Sequence, residues 1–188
     1  MEITPAFYTA STGDIFLLRS LNPGEAELLR LHQRRTSAES HFMVRYPEEC
    51  DPSSERLRDR LEELARHPVS FDLAAFRWER LVADLQVCQL PHRKTCHRAV
   101  LGISVQAAFC GLGLGRAMLA AAAVQARANG LTLLELGVLA DNVRAIRLYK
   151  SLGFRPFGEQ PGAFRLEDGT YRAEIGMQLW LSEVRTHA

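Results

Sequence analysis

Apolar positions along this 188-residue chain recur with two periods, and the switches between them mark the expected elements. Residues 1–12 are small and polar with Pro5, which predicts a frayed lead-in. Asp14 to Arg19 reads as a strand, stopped by Asn22-Pro23-Gly24. A helix follows over Glu25 to Gln33, with Leu28, Leu29 and Leu31 for its inner face. Thr36 to Pro52 lacks a clear period and predicts either a short helix with a loop or a wall facing a substrate. Ser53-Ser54-Glu55 opens a second helix with Leu57, Leu61 and Leu64 as its stripe, closed by Pro68. Strands near Val69 to Phe76 and Leu81 to Cys88 flank a hairpin at Arg77-Trp78-Glu79-Arg80. A strand from His97 to Val105 runs into a glycine-rich loop and a helix over Ala117 to Ala128, stopped at Asn129-Gly130. Leu131 to Leu139 is apolar almost throughout, as in a strand covered on both faces and paired in parallel. Asp141 or Asn142 caps a last helix that ends at Gly153. A short strand at Phe154 to Gly158, a turn at Glu167 to Thr170 and a strand over Tyr171 to Leu181 complete one mixed α/β domain. Its span is set at residues 13–183, with 1–12 and 184–188 as tails.

Composition narrows the class only a little. Hydrophobic residues make up 47% and charged residues 24%, ordinary for a globular chain. The formal net charge of +1 gives no drive toward nucleic acid or an anionic membrane, so neither is expected as a partner. All but two of the 23 basic residues are arginines, the exceptions being Lys94 and Lys150. Cys50, Cys88, Cys96 and Cys110 have no zinc-site spacing, and no H-E-x-x-H is present, so no metal is expected. With no leader-like start and no apolar run long enough to span a bilayer, a cytoplasmic protein is the expectation.

The chemistry concentrates at Cys110-Gly111-Leu112-Gly113-Leu114-Gly115-Arg116. Three glycines at alternate positions leave backbone N–H groups uncovered, and the helix behind them adds the positive end of its dipole. That combination suits a phosphate-bearing ligand. A P-loop is excluded because Gly115 is followed by Arg116-Ala117 rather than Lys-Ser/Thr. A dinucleotide fingerprint fails at Arg116 in one register and at Met118 in the other.

The loop fits Arg/Gln-x-x-Gly-x-Gly/Ala in all but its first residue, where Cys110 stands. A second motif, Asn-x-x-Ala-x-x-Leu-Tyr-x-x-x-Gly-Phe, is complete from Asn142 to Phe154. With these two motifs in this order, the chain resembles the GCN5-related N-acetyltransferase (GNAT) family. The resemblance implies a mixed, largely antiparallel sheet of about seven strands splayed between the family's fourth and fifth, with about four helices. It implies acetyl-CoA as the acyl donor and direct transfer to a primary amine in a ternary complex. Coenzyme contacts would come from Ile103, Val105, Cys110, Gly111, Leu112, Gly113, Leu114, Gly115, Arg116, Asn142, Ala145, Leu148 and Tyr149. Asn142, Ala145 and Tyr149 share one helix face, with Tyr149 as the acid for the departing thiolate. Many relatives carry a carboxylate near the position of Val100, and valine cannot be a base. Glu135, Glu39, His41 and His97 are the candidates in its place. The acceptor is open between a small-molecule amine and a peptide or protein amine. Relatives often dimerise, so a homodimer is also open. A non-catalytic acyl-CoA sensor is the alternative, motivated by Val100 and Cys110.

Overall fold

The computed structural model describes residues 3–51 and 53–183. The 184–188 tail, Met1 and Glu2 of the lead-in, and Pro52 lie outside the described residues. Eight strands form one sheet: β1 (Ala6–Thr9), β2 (Ile15–Arg19), β3 (Phe71–Arg77), β4 (Arg80–Gln89), β5 (Arg98–Val105), β6 (Leu133–Leu139), β7 (Arg155–Arg165) and β8 (Tyr171–Trp180). Their order is β1-β2-β3-β4-β5-β6-β8-β7. Every neighbouring pair is antiparallel except β5–β6. Four helices, α1 (Ala26–Glu39), α2 (Glu55–Arg66), α3 (Leu114–Ala128) and α4 (Val143–Ser151), cover it. None is long and apolar enough to cross a membrane.

Alternation along the strands sends side chains to two cores. Phe71, Leu73, Ala83, Leu85, Val87 and Leu101 pack under α3 against Met118, Leu119, Ala122 and Ala126. Ala74, Phe76 and Leu81 pack under α1 and α2 against Leu29, Leu57 and Leu61. A bulge aligns Ala75 with Ala83 but Phe76 with Leu81, so Val82 is the extra residue. The insertion moves Leu81 to the α1–α2 face, and ordinary alternation puts Asp84, Gln86 and Cys88 on that same face, opposite Ala83, Leu85 and Val87. Leu29 has no exposed surface. Leu29→Ala is expected to cost about 2–5 kcal/mol, measured as a shift in denaturation midpoint.

Three elements differ from the expectation. Ala6–Thr9 is a strand, paired with Ile15–Leu18, where a frayed lead-in was expected. The first helix runs on to Glu39, past the expected end at Gln33. Thr36 lies within this extension, its hydroxyl donating back to the His32 carbonyl at 3.1 Å. β7 extends to Arg165 rather than ending at Gly158, paired with β8 at both ends of the extension across an irregularity between Gln160 and Phe164.

Candidate active site

The β5–β6 pairing lasts for three residue pairs, Arg98–Leu133, Ala99–Leu134 and Val100–Glu135, and then stops. Beyond that point β5 keeps β4 as its neighbour and β6 keeps β8. The two strands diverge, and backbone groups of Leu101 to Val105 face the gap instead of a ladder partner. A cavity of about 1080 Å³ fills this gap and continues across the sheet beneath α1. Its walls include Ile103, Val105, Cys110, Gly111, Gly113, Leu114, Gly115, Arg116, Asn142, Ala145, Leu148 and Tyr149. The motifs that stand far apart in sequence thus share one wall. Leu112 is not among the lining residues; its side chain packs against the core, and its carbonyl accepts from the Tyr8 hydroxyl at 2.9 Å.

The glycine loop adopts the backbone its composition allows. Gly111 has φ +86° and Gly113 has φ +78°, in the left-handed region that side chains disfavour. Gly113 is the N-cap of α3, so the first N–H groups of that helix open toward the cavity. A Cβ on Gly113 would strike the Tyr8 hydroxyl. A Cβ on Gly115 would reach Leu148 and Val105 at 3.5 and 3.9 Å, which shows how closely α3, α4 and β5 converge. Arg116 donates to the Ser151 hydroxyl and ties the start of α3 to the end of α4. Among the described residues, no group of three His, Cys, Asp or Glu is placed to hold a metal ion.

Asn142 caps α4, its side-chain oxygen accepting from the Ala145 N–H at 3.1 Å. Tyr149 lines the cavity and is otherwise buried, its ring beside that of Phe154. Burial pushes its hydroxyl up to about 12, so it holds its proton at neutral pH.

The other candidates are placed differently. Glu135 lies opposite Val100, but its carboxylate is gripped by Arg98, whose Nη2 donates to both oxygens at 2.8 Å. It does not line the cavity. Glu39 lines the cavity and accepts from the Ala107 N–H at 2.7 Å and from Arg35 at 2.8 Å. Burial opposes its ionisation, but these donors outweigh it and hold the carboxyl below its usual range. It anchors the turn ahead of the glycine loop to α1. His41 pairs with Asp141 at 3.3 Å, half exposed, and neither it nor His97 lines the cavity.

Several polar side chains in and behind the cavity wall escaped the sequence reading. Asp84 and Gln33 line the cavity under α1. A charged residue inside Leu81 to Cys88 was the available signal for Asp84. Ser104 stands opposite Asp84 on β5 and receives His32 Nε2 at 2.8 Å. The Gln106 amide donates toward His32 Nδ1 at 3.2 Å, which puts the imidazole proton on Nε2 and directs it to Ser104. Burial drops His32 to about 4, so it stays neutral. Finally, the Glu174 carboxylate occupies the space where Gly137 lacks a Cβ and faces the same cavity.

Comparison with known proteins agrees with this geometry. A family model described as the acetyltransferase (GNAT) family matches residues 31–154. The mycothiol acetyltransferase of Paenarthrobacter aurescens is 30% identical over 162 residues, covering 82% of this chain and 47% of that protein. The chain spans about half the length of the curated relatives it matches. An acetyltransferase of GNAT family from Streptococcus pneumoniae has 25% identity and a TM-score of 0.85, covering 88% of this chain and 99% of its own. The Salmonella typhimurium protein yncA, solved with its cofactor acetyl-CoA, shares the fold at TM-score 0.78 and 18% identity, with 92% and 98% covered. The chain therefore belongs to the GNAT family of acetyltransferases.

Proposed function

We propose that this protein transfers an acetyl group from acetyl-CoA to an amine by direct attack within a ternary complex. One observation carries the reading. The glycine loop, the splayed edge of β5 and Tyr149 line a single cavity that continues under α1 to a second, polar end. The loop N–H groups and the α3 terminus hold the pyrophosphate. The pantetheine arm lies along β5 and takes up its free backbone groups as an added strand does. Tyr149 gives its proton to the departing sulfur. Relatives named mycothiol acetyltransferase support acetyl transfer as the reaction class, with the acceptor of this chain left to be identified.

Incubation with acetyl-CoA and a panel of amines, followed by thiol release and product mass, tests the reading. Thiol release coupled to an acetylated amine is expected. Coenzyme binding with no turnover on any amine would favour the sensor instead.

Glu135 stays outside the chemistry in this reading. Glu135→Gln weakens the grip of Arg98 and is expected to lower the melting temperature, while kcat changes by less than about threefold. A rate loss of about a hundredfold at unchanged folding would return Glu135 to the active site.

A further inference from the structure

Val100 leaves the reaction without a base at the usual strand position, and the part of the same cavity under α1 offers a replacement. Among the described residues, two side-chain oxygens are buried without any hydrogen-bond partner, Asp84 Oδ1 and Gln33 Oε1. Both residues line the same cavity. Asp84 is 8% exposed. Asp72, the other buried aspartate of this sheet region, receives the Leu21 N–H at 2.6 Å and so has a structural task. Asp84 stands opposite Ser104, on the sheet face that also carries Val100 and Gly102. An unpaired buried carboxylate is costly, and a fold keeps one where a ligand supplies the missing donors. Two acceptors in one cavity call for a group rich in N–H, and the ammonium of an amine supplies three.

We propose that Asp84 seats the ammonium of the acceptor and takes its proton, which makes the acceptor a cationic amine. This rests on acetyl transfer at the same cavity. One ammonium proton passes to the Asp84 carboxylate, and the freed nitrogen lone pair attacks the thioester carbonyl carbon. The C–N bond forms, the C–S bond breaks, and the thiolate takes the Tyr149 proton. The amide nitrogen sheds a second proton, which restores Tyr149, and the proton on Asp84 leaves to solvent. The third stays on the amide.

The surroundings suit a base working near neutrality. Burial pushes the Asp84 carboxyl up to about 7, Asp72 on β3 adds to the rise, and Arg60 on α2 opposes it. His32 on α1 is neutral, and Ser104 and Gln33 carry no charge. Cys88 and Gln86 complete the same face of β4, and Glu174 lines the cavity from β8.

The test compares pairs of probes of equal shape, benzylammonium with benzyl alcohol and hexylammonium with hexanol, bound to the full chain. Wild type at pH 8 is expected to hold each ammonium at least about tenfold tighter than its alcohol. The preference should fall below about threefold in Asp84→Asn, and also in wild type at about pH 5.5, where Asp84 is protonated. The pH arm needs no variant and stands even if Asp84→Asn folds poorly. Melting separates function from structure. A carboxyl whose affinity for protons rises on folding destabilises the fold as pH climbs from about 4 to 7, so Asp84→Asn should melt higher than wild type at pH 8. Equal binding of ammonium and alcohol by wild type, or a preference kept by Asp84→Asn, would overturn the proposal. Acetyl-CoA binding is measured on the same samples. Its absence would sink the acetyltransferase reading while the amine preference still decides the role of Asp84.

Discussion

Tyr149→Phe is expected to lower kcat by about a hundredfold or more, with acetyl-CoA affinity changed by less than about threefold. The split follows from where the hydroxyl sits. The ring is buried against Phe154, so phenylalanine preserves the packing and the wall of the cavity. What is lost is the proton. A thiolate expelled into a buried pocket without a donor is held there unsolvated, and the barrier to its departure rises. Burial keeps the Tyr149 proton in place through the neutral range, so the tyrosine adds no alkaline fall in rate near pH 8. Steady-state kinetics with thiol detection, alongside calorimetry with acetyl-CoA, measures both quantities. A kcat within about threefold of wild type would remove Tyr149 as the acid.

Gly113→Glu is expected to abolish acetyl-CoA binding, and Gly113→Ala to weaken it far more than Gly111→Ala. Both glycines have positive φ, so either alanine carries a conformational cost of about 1 kcal/mol. Only Gly113 has a neighbour in the way. Its Cβ would collide with the Tyr8 hydroxyl and displace the bond to the Leu112 carbonyl, whereas nothing lies within 4 Å of a Cβ on Gly111. Glutamate adds a negative charge among N–H groups placed for phosphate. Tyr8→Phe removes the colliding oxygen and should partly rescue Gly113→Ala, a coupling that a double-mutant cycle reads directly. Equal losses at the two alanine positions would place the clash elsewhere.

These two sites were the most legible parts of the chain. Loop and cap geometry is written in a few adjacent residues, where glycine spacing and an Asn-x-x-Ala start leave few alternatives. The Asn142 cap and the left-handed Gly113 are local consequences of that kind. Tyr8, which braces the loop, was not legible. Its strand is four residues long and mostly exposed at the sheet edge, so it has no buried stripe to read. The end of α1 was hidden for the opposite reason. Its inner face changes from leucine to His32, Gln33 and Thr36 where it roofs the cavity, and the apolar period fades there. Glu174 filling the space over Gly137 is a match between strands that pair far apart in sequence. No local pattern encodes it. Asp84 stood as a charge in an apolar strand, and alternation puts it opposite Ala83 and Leu85, but the cavity it faces is built with α1 and β5, which no local pattern on β4 encodes.

A crystal structure of the chain with coenzyme A tests the central claim most directly. The pyrophosphate is expected on the N–H groups between Gly111 and Arg116, the pantetheine arm between β5 and β6, and the sulfur within about 3.5 Å of the Tyr149 hydroxyl. A coenzyme bound outside the gap between the two strands, or one whose sulfur points away from Tyr149, would contradict it.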